Sequence, residues 1–294
     1  MPSFRARLES GTVVVGDGGW GTMLAARGLP LGAPPERWTL EHPDVIAEIA
    51  TAYADAGAEL ITTNTFGASP IRLEQHHLAD RLDELNRRAV AIVRDAVKER
   101  AFVSASIGPT GRLLEPLGEA RLEDVAAGFE RQARALVSAG ADLLCIETMT
   151  DLEEAVLAVR AARAASADIP IVATMTFEPT PRGAFTVMGV SVPAACAALG
   201  AAGADVVGAN CGGGAEEGAA VAREFLDSTT LPVAVQPNAG VPTLVKGKLV
   251  YPTAPDRFAE ILAPLAVAGV RIVGGCCGTT PAHIAALRRA LARL

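Results

Sequence analysis

Ala139-Gly140-Ala141-Asp142-Leu143-Leu144-Cys145-Ile146-Glu147-Thr148 decides how this chain folds. It runs from the end of an amphipathic stretch, through a glycine, into an unbroken apolar run that stops at two polar residues. A glycine at that place closes a helix in the left-handed conformation. A continuous apolar run suits a parallel strand covered on both faces. The same phrase recurs as Ala56-Gly57-Ala58-Glu59, Ala202-Gly203-Ala204-Asp205 and Ala268-Gly269-Val270, each time just before another apolar run.

Outward from these phrases, eight short runs rich in β-branched residues can be counted. They are Thr12 to Val15, Ala58 to Thr62, Phe102 to Ile107, Asp142 to Ile146, Ile171 to Thr176, Asp205 to Ala209, Pro232 to Gln236 and Val270 to Val273. Between them, Arg81 to Arg100, Leu122 to Ala139 and Leu152 to Ala165 carry apolar residues at helical spacing. Thr150 with Glu153 predicts a capping box, and Thr280 with Pro281 an N-cap followed by proline at the first helical position. Eight such units of roughly 37 residues predict an α/β fold, a single (β/α)8 TIM barrel formed by one domain over residues 1–294, with its active site where the strands end. A doubly wound open sheet is the alternative architecture.

Half of the residues are hydrophobic but only 4% are aromatic, so the core is built from Ala, Val, Leu and Ile. The net charge of -7 is spread along the chain without a basic run, which argues against a nucleic-acid partner. The N-terminus MPSFRARLES has no apolar core of signal-peptide length. The longest apolar stretch, Ile261 to Val270, is interrupted by Pro264 and too short for a bilayer. These features predict a cytoplasmic protein with no membrane association. The five cysteines are an odd number and two are adjacent, a pattern better suited to metal binding or reactive thiols than to disulfides.

In a barrel the polar residues after each strand converge on one mouth. Here they are Asp17-Gly18-Gly19-Trp20-Gly21-Thr22, Thr63-Asn64-Thr65-Phe66, Glu147-Thr148, Asn210-Cys211-Gly212-Gly213-Gly214, Pro237-Asn238-Ala239-Gly240 and Gly274-Gly275-Cys276-Cys277-Gly278-Thr279. The sixth and eighth strands lie close together around the ring, so Cys211 can meet Cys276 and Cys277, and three soft ligands suit Zn2+. Both adjacent cysteines can face one ion only if Gly274, Gly275 and Gly278 let the backbone curl. Cys145, inside a strand, and Cys196, in an Ala-rich helix, are expected in the core. His42, His76, His77 and His283 lie in or beside helices and are expected at the surface. Structural zinc is normally closed by four protein groups, whereas a three-ligand site keeps a position for substrate. A thiol placed there would lose its proton, and three thiolates would leave its sulfur electron-rich enough to attack carbon. The ligand set thus points to alkyl transfer onto sulfur.

Together with Gly208-Ala209-Asn210-Cys211, these segments form an ordered set that resembles the homocysteine S-methyltransferase family from about residue 10 onward. Ser106-Ile107-Gly108-Pro109-Thr110-Gly111 and Gln236-Pro237-Asn238-Ala239-Gly240 look most like the homocysteine domain of cobalamin-dependent methionine synthase. The resemblance implies a zinc barrel with Cys211, Cys276 and Cys277 as ligands and Asn238 in the open position until the substrate sulfur displaces it. It also implies that Asp17, the amides around Gly18 and Gly19, Glu147 and Asn210 hold the amino-acid end of homocysteine. Carboxylates suit an ammonium group, and a glycine-rich turn offers N–H groups to a carboxylate.

The matched stretch is a barrel alone, without an Asp-x-His-x-x-Gly corrinoid motif. The methyl donor is therefore expected to be a separate methylcorrinoid protein, or a small sulfonium or ammonium compound such as S-methylmethionine or betaine; another small thiol remains an alternative acceptor. For a cationic donor, Trp20, Trp38 and Phe66 are the aromatic residues placed near the mouth. Gly16-x-Gly18-x-x-Gly21 also fits a dinucleotide fingerprint. Pro30, Pro34 and Pro35, however, fill the interval in which that fold needs a helix and a second strand. A structural metal in a non-catalytic module would need a fourth protein ligand, and none is placed to serve.

Overall fold

The computed structural model describes residues 3–245 and 248–294. Eight parallel strands form the ring: β1 (Val14–Val15), β2 (Leu60–Thr62), β3 (Phe102–Ile107), β4 (Leu143–Met149), β5 (Ile171–Met175), β6 (Val206–Cys211), β7 (Val233–Pro237) and β8 (Ile272–Val273). They pair in the order β1-β8-β7-β6-β5-β4-β3-β2. A parallel bridge between Gly16 and Leu60, with the Glu59 N–H donating to the Val15 carbonyl at 2.7 Å, closes the (β/α)8 barrel. Each expected strand is present. β4, β6 and β7 run further than expected, to Met149, Cys211 and Pro237, whereas β1 and β8 shrink to two residues each.

Alternation along the strands explains where the site sits, since residues two apart share a face. Val14, Leu60, Phe102, Leu143, Cys145, Val172, Val206, Ala234 and Ile272 pack together inside the base of the ring. Phe4, from the helix Phe4–Glu9, plugs that base and meets Phe102 edge-on at 5.5 Å. Burying such a ring contributes roughly 2–3 kcal/mol. The intervening residues, among them Val15, Ile61, Val103, Leu144, Ile146, Val207 and Val235, pack outward with helix residues such as Ile49, Val93, Leu136 and Leu262. Further along the inward face come Ser106, Glu147, Thr174, Asn210 and Gln236. The interior therefore changes from apolar to polar toward the strand ends.

The repeated glycine phrase behaves as expected. Gly57, Gly140, Gly203 and Gly269 have φ of 95°, 87°, 109° and 116°. The next N–H in each case returns to a carbonyl five residues back, as in Ala58 to Tyr53 at 3.1 Å and Val270 to Leu265 at 3.0 Å. The acid ending three of these phrases ties down the base. Asp142 accepts from Arg94 and from the Val103 N–H, both at 2.7 Å, and Asp205 accepts from Arg163 and the Ile171 N–H, both at 2.8 Å. Glu59 takes Arg7 at 2.8 Å.

Two expectations need correction. The helix Leu152–Ala165 is capped by Asp151 rather than Thr150, because the Asp151 carboxylate accepts from the N–H groups of both Glu153 and Glu154, at 2.8 and 3.2 Å. His283 is buried, not at the surface: it occupies the first turn of the helix Pro281–Leu291, where its Nδ1 accepts from the Thr280 N–H at 3.2 Å and its Nε2–H donates to the Thr253 carbonyl at 2.9 Å. His42 and His77 are exposed and His76 is half-buried. Two antiparallel ribbons, Glu178–Thr180 with Gly183–Phe185 and Thr243–Val245 with Lys248–Val250, rise from the loops after β5 and β7. Among the described residues, no helix is long and apolar enough to cross a membrane.

Candidate active site

At the end of β6, Cys211 has a left-handed φ of 62°, and Gly212 follows at 66°. A non-glycine residue in that region costs on the order of 1–3 kcal/mol and persists only where its surroundings enforce it. Beyond β8 the chain curls back through Gly278, with φ of 80°, so that both Cys276 and Cys277 turn toward Cys211. The three sulfurs lie within 4.8 Å of one another. Backbone bonds hold this arrangement: the Cys276 N–H donates to the Pro237 carbonyl and the Ala239 N–H to the Cys277 carbonyl, both at 2.9 Å. The glycines also serve close approach, since a side chain at Gly274 would come within 3.0 Å of the Gly16 backbone.

The sulfurs share their protons unequally. Hydrogen bonds from Cys276 and Cys277 pull the Cys211 thiol down to about 3, and the negative sulfur so favoured raises Cys276 and pushes Cys277 up to about 11. A cluster that concentrates negative charge in this way is matched to a cation. Beside it, the Asn238 Nδ2 donates to the Gly212 carbonyl at 2.6 Å, while its buried Oδ1 has no hydrogen-bond partner. Three clustered thiols and a buried amide oxygen without a partner are groups of the kind that could hold a metal ion.

A cavity of about 240 Å³ extends from Cys211, Cys276 and Cys277 to Asp17, Gly18, Gly19, Glu147 and Asn210. Buried Asp17 accepts from the Trp20 indole at 2.8 Å and from the Thr62 N–H and hydroxyl at 2.7 and 2.9 Å, yet desolvation still raises it to about 6. Glu147, half-buried, accepts from the Ser106 hydroxyl and the Asn210 amide. Burial pushes it up to about 7, with the nearby charges of Asp17 and Cys211 adding to the shift. Glu147 and Thr148 form a register break in β4, and Thr148 has φ of 61°. Asn210 clasps that break, accepting from the Thr148 N–H at 2.7 Å and donating to its hydroxyl at 2.8 Å.

The structure thus gathers all nine expected site residues at the mouth, eight lining the cavity and Asn238 beside Cys211. Cys145 and Cys196 are buried in the core, as expected. Trp20 and Phe66 line the cavity, whereas Trp38 is buried against His42, with ring centroids 4.6 Å apart. The Gly19 N–H is taken by the carbonyl and hydroxyl of Thr279, at 3.2 and 3.1 Å.

Three contributors were not foreseen. Ser106 and Gln236 lay in recognisable phrases without a role, though their parity with Phe102 and Ala234 places them on the inward face. Buried Glu36, which also lines the cavity and accepts from the Gly67 N–H at 2.6 Å, arrives by a tertiary excursion that carries no local signal.

Fold and site together define a class: a (β/α)8 barrel whose mouth joins a three-thiol cluster to a carboxylate-lined cavity. A sequence model described as homocysteine S-methyltransferase matches residues 14–291, and the chain belongs to that family of methyltransferases. It is 36% identical over 299 residues to methionine synthase of Mycobacterium tuberculosis (strain ATCC 25618 / H37Rv), covering 96% of this chain and 25% of that protein. The methionine synthase of Mycobacterium leprae (strain TN) is likewise 36% identical, over 298 residues, 96% of this chain and 24% of the relative. The chain therefore spans about a quarter of the length of these curated relatives. Among solved structures, the metallated form of the homocysteine methyltransferase MmuM from Escherichia coli superposes with a TM-score of 0.81 at 27% identity, covering 99% of each chain.

Proposed function

We propose that residues 1–294 act as one homocysteine-binding zinc barrel that transfers a methyl group to the homocysteine thiol, giving methionine. The observation that carries this reading is the cluster itself: three sulfurs within 4.8 Å and an unpartnered Asn238 oxygen beside them. Cys211, Cys276 and Cys277 would hold the ion, with Asn238 as the exchangeable fourth donor. Zinc, when bound, supplies a way to keep the substrate sulfur deprotonated at neutral pH.

The protein's own groups then orient the acceptor. Glu147 faces the cavity as an acid raised for want of a cation, and a substrate ammonium provides one. Asp17 adds negative charge but already accepts three hydrogen bonds, so its part is electrostatic. Asn210 is committed to Thr148, Thr174 and Glu147 and acts by fixing the Glu147 carboxylate. Because Thr279 occupies the Gly19 N–H, a substrate carboxylate is left to the amides on either side, including that of Gly18.

For the donor we favour a methylcorrinoid protein acting in trans. The cavity has room for an amino acid and not for a corrinoid, and the rim of the barrel, on the loops after β3, β5 and β7, carries exposed apolar residues, among them Leu117, Val187, Val241 and Leu244. Such a rim suits a macromolecular face. A small cationic donor, S-methylmethionine or betaine, is the second reading, favoured by the Trp20 and Phe66 rings in the cavity. Three unpaired thiols at the site suit a reducing compartment, and we place the protein in the cytoplasm.

The decisive experiment measures zinc per chain and then supplies homocysteine with free methylcobalamin, S-methylmethionine or betaine in parallel. About one zinc per chain and methionine from at least one donor are expected. Absence of zinc from protein refolded with it overturns the metal centre, and zinc-loaded protein inert with every donor overturns free donors in favour of a dedicated partner or another thiol.

A further inference from the structure

The floor of the substrate cavity is laid by inward residues at the strand ends. Asn210 on β6 lies in register with Gln236 on β7, so their side chains stand next to each other on that face. The Asn210 amide in turn donates to Glu147 on β4 at 3.3 Å. An acid and two amides thus form a row across the floor.

The described residues lining the cavity include no lysine, arginine or histidine, so a carboxylate bound there has to be met by neutral donors. Trp20, Asn64, Asn210 and Gln236 are the lining side chains that carry N–H groups. The Trp20 indole is committed to Asp17 at 2.8 Å, and both N–H groups of Asn64 to the Pro35 carbonyl and the Thr39 hydroxyl, at 2.7 and 3.1 Å. Both of Asn210 go to Glu147 and to the Thr148 hydroxyl, at 3.3 and 2.8 Å. Among the described residues no hydrogen bond engages the half-buried Gln236 side chain, and its amide opens onto the cavity. Gly16 makes room for it, since a side chain there would come within 3.1 Å of the Gln236 Nε2. The amide therefore ends beside the glycine-rich turn that carries Gly18.

We infer that Gln236 determines substrate specificity by donating its side-chain N–H to the α-carboxylate of the thiol substrate. The inference rests on the homocysteine reading and sharpens it: the barrel selects a thiol that is also an α-amino acid over a plain aminothiol. An α-amino acid carries its ammonium and carboxylate on one carbon, and the row offers a partner for each, Glu147 at one end and Gln236 at the other. A neutral amide suits this place. A lysine or arginine there would satisfy Asp17 and Glu147 itself and compete with the substrate ammonium for them. The Gly18 N–H, two residues along the chain from Gly16, is placed to take the other carboxylate oxygen.

The test titrates the full-length, zinc-loaded protein by calorimetry with L-homocysteine and with 3-aminopropane-1-thiol, which keeps the thiol, chain and ammonium but lacks the carboxylate. Gln236→Met, similar in length but without a donor, should weaken homocysteine by about tenfold or more and the aminothiol by less than about twofold. Gln236→Glu, which sets like charge against the carboxylate, should weaken homocysteine further and hold the aminothiol at least as tightly as the parent does. A merely structural role would move both ligands together. Equal weakening of the two ligands in Gln236→Met, or no weakening of homocysteine, in a parent that binds homocysteine overturns the inference and leaves the homocysteine reading standing. A parent that binds neither compound overturns that reading and the inference with it.

Discussion

The two ends of the barrel use the same residue types to opposite effect. At the base, Glu59, Asp142 and Asp205 each meet an arginine, and Asp142 and Asp205 also cap a backbone N–H. At the mouth, Asp17 and Glu147 are met by indole, hydroxyl and amide groups, and among the described residues neither joins an ion pair. A carboxylate with a cation beside it stabilises the folded chain. One buried without a cation is held at a cost that a cationic ligand can relieve. Among these five acids, the three tied to arginine belong to the scaffold and the two left short of a cation line the site cavity.

The largest effect expected from breaking this contrast lies in the sulfurs. Cys211→Ala or Cys277→Ala should abolish bound metal and methyl transfer, well beyond the roughly 10–100-fold that losing an outer-shell partner costs, while circular dichroism shows the barrel retained. Next comes Glu147→Gln. Losing a charged partner for the substrate ammonium should lower kcat/KM by about 10–100-fold, measured at saturating donor.

The same substitution should make the substrate-free protein more stable. The Glu147 carboxyl is raised from 4.5 to about 7 in the folded state, so between these values the folded chain holds a proton that the unfolded chain has released. Stability is therefore full below pH 4.5 and is lost as the pH rises through 7. Glu147→Gln removes that loss, a gain on the order of 2–3 kcal/mol at pH 8 that fades toward pH 5, read by urea unfolding at both. An equal effect at the two pH values would show that Glu147 is not held short of a cation.

At the base the expected changes are smaller and of opposite sign. Asp205→Asn should destabilise by about 1 kcal/mol and leave kcat/KM untouched. A kinetic defect there, in protein that remains folded, would break the division between scaffold acids and site acids.

Much of this was legible in the chain because it is local. The Ala-Gly-Ala phrases report a helix end and a strand start within a few residues, and the backbone conformation required of Gly57, Gly140, Gly203 and Gly269 admits little besides glycine. The site residues were legible as strand-end polar groups once eight strands were counted. What escaped depends on contacts across the chain. His283 looks like any first-turn helix residue until Thr253 arrives to meet it, and nothing near Glu36 announces that it reaches Gly67. The ribbons escaped for another reason: every residue of Glu178–Thr180 and Thr243–Val245 is exposed, so no buried face imposes an alternating pattern on them. Asp151 outcompeted Thr150 as a cap because its carboxylate reaches two N–H groups at once.

The seam of the ring has a consequence for how the protein comes into being. β1 and β8 contribute two residues each, and Gly19 and Thr279, which bond across that seam, stand 260 residues apart. A chain emerging from the ribosome carries Asp17, Glu147 and Cys211 long before it carries Cys276 and Cys277. Until the last strand slots in beside the first, Cys211 stands at the mouth without Cys276 and Cys277. Because Cys276 and Cys277 follow directly on the strand that pairs with the first, assembling the three-thiol cluster requires the seam of the barrel to close.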